Sequence, residues 1–142
     1  MQQLRAQNPN HVFVGAGDLV GATPLLSALF RDEPTIEAMN LMGLAASAVG
    51  NHEFDQGSAE LLRKQAGGCH PTDGCKGPVP YTGARFQYLS ANTVVTATGK
   101  TFFPPTFVKK FGEVSVGFIG IALKSTPSVV VPAGVAGLAF SD

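Results

Sequence analysis

The stretch AASAVGNHEFD, residues 45–55, decides the fold class of this chain. Its first five residues are small and apolar, as in a buried strand, and a glycine follows them. The run VFVG, residues 12–15, has the same character and leads to Asp18. If these two strands are parallel neighbours, Asp18, Asn51 and His52 emerge together at the carboxyl edge of the sheet. In open α/β sheets, that edge binds ligands.

The side chains expected at this edge suit divalent cations and phosphate chemistry. The Asp18 carboxylate can bridge two cations, and the Asn51 amide oxygen can ligate one without adding charge. His52 can then stabilise developing charge or give a proton to a leaving oxygen, provided that a carboxylate orients it. Asp55 is the expected orienting partner, and Glu53 is its competitor.

The rest of the chain alternates between helical and strand patterns, which predicts an α/β fold. Thr23 as a cap, with proline at the first helical position, predicts a helix that continues to residue 30. Further helices are predicted over 35–42 and 58–65. Strands are predicted over 86–92, 106–110 and 114–121, the last two as a hairpin whose second strand enters the core.

The two polar runs carry a family resemblance. Gly17-Asp18, followed by GNHE at 50–53, resembles the central part of the calcineurin-like metallophosphoesterases. The runs TPLLS at 23–27 and SAN at 90–92 are similar to the branch that contains bacterial 5'-nucleotidases and 2',3'-cyclic-nucleotide phosphodiesterases. The similarity extends from about residue 11 to the end of the chain. It implies that the chain is part of a four-layer α/β/β/α metallophosphoesterase sandwich.

The resemblance also implies an activity, the metal-dependent hydrolysis of phosphate esters by a 5'-nucleotidase or cyclic-nucleotide phosphodiesterase. Asp18 would bridge two divalent metal ions (Mn, Zn, Mg, Ca or Fe), and Asn51 would ligate the second ion. His52 and Asp55 would form a catalytic dyad while a metal-bound hydroxide attacks phosphorus. The expected substrate is a nucleotide or another small phosphate ester.

Other motifs of the resembled family are not found in this sequence. Family members begin with a strand that ends in Asp-x-His and complete the site with a lone His and a Gly-His-x-His run, and neither His11 nor His70 fits these motifs. Asp18 and Asn51 alone are too few for zinc, with about four ligands, or harder cations, with about six. We therefore expect residues 1–142 to be a partial catalytic domain without the first strand, the later histidine motifs and the nucleotide-binding domain. The alternative is a degenerate domain that binds a partner.

Composition narrows the classes of partner. With 44% hydrophobic and 14% charged residues the chain has a globular composition, and its ten basic and ten acidic residues leave no net charge. Nothing therefore favours nucleic acid or an anionic membrane surface. No apolar stretch reaches the length of a membrane span, and the first residues do not form a signal-peptide pattern. Sheet edges left uncovered would favour self-association.

Three further features leave alternatives open. Cys69 and Cys75 bracket a short turn-forming loop, so we expect a disulfide, with free thiols or a Cys-His-Cys metal site as the alternatives. A disulfide would fit the periplasmic or secreted location that the resemblance implies. Phe102 and Phe103 are expected to pack rather than stack on a base. Asn92 is expected to form a turn rather than contact substrate.

Overall fold

The computed structural model describes residues 2–77 and 80–142, so Met1, Pro78 and Val79 lie outside the described residues. The helices are α1 (Gln2–Gln7), α2 (Leu25–Ala28), α3 (Glu33–Met42), α4 (Ser58–Ala66) and α5 (Thr126–Val129). The strands are β1 (Val14–Gly15), β2 (Ala46–Ala48), β3 (Gln87–Leu89), β4 (Thr93–Val95), β5 (Thr106–Phe111), β6 (Val114–Ile119) and β7 (Leu138–Phe140). Short 3₁₀ helices span His52–Phe54 and Pro132–Val135. This mixture confirms the α/β class.

The first three strands form a parallel sheet in the order β1-β2-β3. Helices α2 and α3 connect β1 to β2, and α4 connects β2 to β3, because parallel neighbours need a crossover between them. Val14 is aligned with Ala46, and Ala48 is aligned with Leu89. The segments that follow β1 and β2 consequently leave the sheet at one carboxyl edge, as the sequence predicted.

An apolar core packs against this sheet and includes most of the aromatic side chains. The rings of Phe103 and Tyr88 stack with centroids 5.6 Å apart, and Phe102 lies 6.0 Å from Phe54. Phe102 and Phe103 are therefore packing residues, in agreement with the favoured interpretation. The buried members of the core are Val20, Ile36, Leu44, Val49, Phe54, Leu61, Tyr81, Phe86, Tyr88, Phe103, Ala122 and Val135.

The start of α2 differs from the sequence prediction. Pro24 precedes the helix, and Thr23 makes no capping hydrogen bond. The Thr23 hydroxyl donates instead to the carboxylate of Asp32, because a buried charged acceptor competes successfully with the helix N-terminus. Helix α3 begins at Glu33, earlier than predicted, since Pro34 is accommodated in its first turn.

The predicted hairpin is present at the predicted residues, but its second strand lies at the surface. Strands β5 and β6 pair in antiparallel register from Thr106 opposite Ile119 to Phe111 opposite Val114. The prediction that the second strand enters the core is wrong, because Val114 and Ile119 are exposed. An apolar sequence pattern predicts a strand but does not reveal which of its faces is covered.

The predicted strand over 86–92 is shorter in the structure, and its end is fixed by Asn92. This side chain is buried, donates to the carbonyls of Ala122 (2.8 Å) and Ser141 (2.7 Å), and accepts from the Ala122 N–H (2.8 Å). Asn92 therefore joins three segments and has a structural role. The chain continues into β4, which pairs with β7. Across residues 2–77 and 80–142, no helix is long and apolar enough to span a bilayer.

Candidate active site

The site lies at the carboxyl ends of β1 and β2, where the two loops that follow these strands contact each other. Gly17 has a φ of 97°, and a Cβ there would lie 2.5 Å from the backbone nitrogen of Gly50. A Cβ on Gly50 would overlap the carboxylate of Asp18 and lie 2.7 Å from its backbone nitrogen. Side chains are therefore excluded at both positions, which explains why a glycine precedes both Asp18 and Asn51.

Asp18 is held over the turn that begins at Asn51. Its φ of 55° is left-handed, a conformation that Asp tolerates better than most residues and that is frequent at functional sites. Its Oδ1 accepts a hydrogen bond from the backbone N–H of His52 at 3.1 Å. The side chain of Asp18 is exposed and that of Asn51 is half-buried. The structure thus brings two predicted metal ligands to the same edge.

His52 and Asp55 form a hydrogen-bonded pair on the surface of the 3₁₀ turn. Nδ1 of His52 lies 2.7 Å from Oδ2 of Asp55, so Asp55 is the carboxylate that orients the ring. A carboxylate only accepts, and Nδ1–H is therefore the donor. The hydrogen bond to Asp55 raises the pKa of His52, opposed in part by desolvation. Nε2 of His52 makes no hydrogen bond to a residue that the structure describes, which leaves this nitrogen available.

Glu53 points inward and contacts both loops, whereas the sequence left it as a competitor of Asp55 and the resemblance implied only that it is a supporting residue. Its side chain is buried (1% exposed), and Oε2 accepts from the backbone N–H groups of Asp18 (2.8 Å) and Gly50 (2.7 Å). Oε1 accepts from the N–H of Leu19 at 2.7 Å. Burial raises the pKa of Glu53, and the three hydrogen bonds oppose that rise. The available signal was the spacing of Glu53 three residues after Gly50, which resembles half of a capping box.

A buried ion pair lies behind the loop that follows Asp18. Asp32 is fully buried and accepts from the backbone N–H of Gly21 (3.2 Å) and from the hydroxyl of Thr23. Nζ of Lys64 lies 3.5 Å from Asp32 and 3.2 Å from Oε1 of Gln56. Burial lowers the pKa of Lys64, while Asp32 opposes that change. Local sequence patterns did not predict this pair.

Asp18 and Asn51 are the side chains at this edge that could hold a metal ion. Their oxygen donors have the chemistry that divalent cations prefer. Within the part of the chain that the structure describes, no group of three or more His, Cys, Asp or Glu residues is arranged as a metal site. Asp18 and Asn51 can therefore supply part of the ligand set of a metal ion, but not all of it.

The cysteine loop lies apart from this pair of ligands. Cys69 and Cys75 form a disulfide with their Cα atoms 4.4 Å apart. Nδ1 of His70 accepts from the backbone N–H groups of Thr72 (3.3 Å) and Asp73 (3.1 Å). Of the three alternatives for this loop, the structure has the disulfide, and the Nδ1 atom of His70 is occupied by hydrogen bonds within the turn.

Comparison with known proteins identifies the family, although no family model matches the chain. The chain is 38% identical over 142 residues to endonuclease YhcR of Bacillus subtilis, which covers 100% of the chain and 11% of that protein. It is 30% identical over 139 residues to a 5'-nucleotidase of Vibrio cholerae, covering 98% of the chain and 22% of that protein. The first curated relatives are longer, since the chain spans between 11% and 58% of their lengths.

Solved structures agree with these relatives. A 5'-nucleotidase precursor from Thermus thermophilus superposes with a TM-score of 0.72 at 29% identity and covers 99% of this chain and 24% of its own. The calcineurin-like phosphoesterase YfkN from Bacillus subtilis shares the fold, with a TM-score of 0.73 at 24% identity over 99% of this chain and 43% of its own. The chain belongs to the calcineurin-like metallophosphoesterases, in the branch that contains 5'-nucleotidases and 2',3'-cyclic-nucleotide phosphodiesterases.

Proposed function

We propose that the protein containing this chain hydrolyses phosphate esters at a site with two divalent metal ions, and that nucleotides are its substrate class. The observation that carries the proposal is the His52–Asp55 pair at the sheet edge that also presents Asp18 and Asn51. Relatives named 5'-nucleotidase, in Vibrio cholerae and Thermus thermophilus, support the choice of substrate.

Asp18 and Asn51 would hold the metal ions in this proposal. The Asp18 carboxylate has two oxygens with which to bridge a pair of cations, and the Asn51 amide adds a neutral oxygen donor. When bound, divalent cations polarise a phosphoryl oxygen and offset the negative charge of the phosphate. Because two side chains are fewer than such ions need, we propose that polypeptide beyond residues 1–142 supplies the other ligands.

His52 would act on the leaving group. Asp55 holds the proton on Nδ1 and raises the pKa of His52, so a larger fraction of the ring is protonated at neutral pH. The protonated ring can give the proton on Nε2 to the departing oxygen or stabilise its negative charge. Asp55 contributes orientation and charge, and it need not touch the substrate.

The test is phosphate release from nucleoside monophosphates and from bis-p-nitrophenyl phosphate, with and without Mn²⁺. It is run on the 142-residue chain and on the natural polypeptide that contains it. We expect Mn²⁺-dependent turnover in the natural polypeptide and a loss of about 10²–10⁴-fold in His52→Ala. His11→Ala is the matched control, because His11 is exposed and its Nδ1 lies 2.7 Å from the carbonyl of Asn8, before β1. Equal turnover in wild type and His52→Ala would refute the assignment.

A catalytically incomplete or degenerate binding module is the second candidate. The observation that favours it is the lack of a three-residue His, Cys, Asp or Glu cluster among the described residues. Calorimetric titration of the chain with Mn²⁺ separates the candidates for this polypeptide. Tight binding of two ions per chain contradicts the degenerate module, whereas weak binding together with an inactive natural polypeptide supports it.

We also propose that the protein is periplasmic or secreted. The Cys69–Cys75 disulfide supports this location, because oxidising compartments favour such bonds. Alkylation of the cellular protein without reduction, followed by mass spectrometry, should leave both cysteines unmodified. Full alkylation of both residues would contradict the proposal.

Self-association through uncovered strands remains a proposal as well. The hairpin of β5 and β6 exposes Val108, Val114, Val116 and Ile119, an apolar surface of the kind that a second copy of the chain could cover. We expect light scattering to show dimers or larger species of the 142-residue chain at micromolar concentration. A monomer at every concentration would contradict this expectation.

A further inference from the structure

We infer that Glu53 is a positioning residue that joins the two loops carrying Asp18 and Asn51 into one metal-binding edge. The inference deepens the proposed function and rests on it for the identity of the ligands. The role assigned to Glu53 differs from those of its neighbours, since its side chain is buried and both of its carboxylate oxygens accept backbone N–H groups.

The contacts of Glu53 reach across a long separation in sequence. Oε2 accepts from Asp18, which is 35 residues away in the chain, and also from Gly50, which directly precedes Asn51. Oε1 accepts from Leu19, so the first loop is held at two successive residues. A single side chain therefore fixes the backbone of one proposed ligand and the residues that flank both ligands.

Glu53 is the acceptor that the backbone of the two loops requires at this buried position. A buried carboxylate is costly unless it is paired or fully hydrogen-bonded, and Glu53 has no salt bridge among the described residues. Its partners are three backbone N–H groups, which an apolar side chain would leave unsatisfied. Glu53 thus holds the geometry of both loops.

The test compares Glu53→Gln with Glu60→Gln. Glu60 is also buried, but it pairs with Arg63 in α4 at 2.8 Å and contacts neither loop. Both variants are made in the natural polypeptide that contains this chain. Backbone amide exchange is measured without metal, and Mn²⁺ alone is then titrated and followed by calorimetry. In Glu53→Gln we expect exchange at Asp18, Leu19 and Gly50 to be at least about tenfold faster than in Glu60→Gln. We also expect the Mn²⁺ dissociation constant to rise by about 10–100-fold, the usual range for residues that support metal ligands.

Glu53→Asp is the second variant in case Glu53→Gln does not fold. Its shorter side chain keeps the charge and starts from the turn that contains Gly50, so the Gly50 amide should stay protected. The amides of Asp18 and Leu19, on the other loop, should exchange faster because the side chain no longer reaches them.

Two results would overturn the inference. One is equal exchange at the three amides in Glu53→Gln and Glu60→Gln. The other is a faster exchange spread evenly over the core strands with an unchanged Mn²⁺ dissociation constant, which would make Glu53 a stabilising residue only. If the wild-type natural polypeptide binds no Mn²⁺, the proposed function fails, whereas the exchange pattern still decides the role of Glu53.

Discussion

Replacing Lys64 with methionine tests the buried ion pair behind the candidate site. Lys64 and Asp32 are 1% and 0% exposed, so water cannot take the place of either partner. Methionine keeps an unbranched side chain of similar length and removes only the charge and the donors. The carboxylate of Asp32, which holds the loop at Gly21, would then be left without a cation.

The magnitude follows from the contacts. Removing one partner of a buried ion pair costs about 3–5 kcal/mol. We expect the lower end, about 3 kcal/mol, because the 3.5 Å separation is long and Asp32 keeps the hydrogen bonds from Gly21 and Thr23. Unfolding entropy of about 2.1 cal/mol/K per residue gives about 300 cal/mol/K for the 142 residues, so the Tm should fall by about 10 °C.

Urea unfolding followed by circular dichroism measures the change, with the slope m unchanged. Asp32→Asn and the double variant complete a cycle. The double variant removes both charges of the pair, so its loss should be at least about 1.5 kcal/mol smaller than the sum of the two single losses. Lys124→Met is the control, because Lys124 is exposed and pairs with Asp142 at the surface, and it should change stability by less than about 0.5 kcal/mol. A cost below about 1 kcal/mol for Lys64→Met, or additive losses, would refute the reasoning.

Three further substitutions test the candidate active site and the segments that surround it. Gly50→Ala places a Cβ against Asp18, so calorimetry should show Mn²⁺ binding at least about tenfold weaker, and unchanged affinity would contradict the close packing of the loops. Asp55→Asn should lower the pKa of His52, measured by proton NMR without metal. Since the folded pKa is raised above 6.5, the wild-type pair stabilises the fold most at lower pH, and this contribution disappears as the pH rises through the folded pKa. Asn92→Ala should cost about 2–3 kcal/mol in urea unfolding while Mn²⁺ affinity is retained, because its hydrogen bonds lie outside the site.

The strands that position the site were predictable from sequence because their signals are local. The apolar runs before Asp18 and Asn51 are short and end in glycine, so the pattern predicted two strands and, on the condition that they are parallel neighbours, a shared edge; the structure meets that condition. The hairpin of β5 and β6 was predictable for the same reason. The exposure of the hairpin was not predictable, since the sequence of a strand does not show whether other residues cover its apolar side chains.

Side chains that act across the fold were not predictable from local patterns. Thr23 has the sequence position of a helix cap, but its hydroxyl donates to Asp32, which the fold brings beside it. Lys64 follows the rule that basic residues favour the last turn of a helix, although its charge pairs with the buried carboxylate rather than with the helix end. In both cases the interaction with the buried Asp32 carboxylate prevailed over the local preference for a helix end.

The two carboxylates beside His52 show how local geometry separates roles that composition leaves open. In a 3₁₀ helix, residues three apart lie on the same side, so Asp55 faces His52 from the turn His52–Phe54. Glu53 is one residue on, about a third of a turn away, and therefore points to the interior between the loops. A single turn thus places one carboxylate at the surface to orient the imidazole and buries the other to hold the backbone. Exchanging the two side chains would break the buried role, because an aspartate at position 53 is too short to reach the loop that carries Asp18 and Leu19.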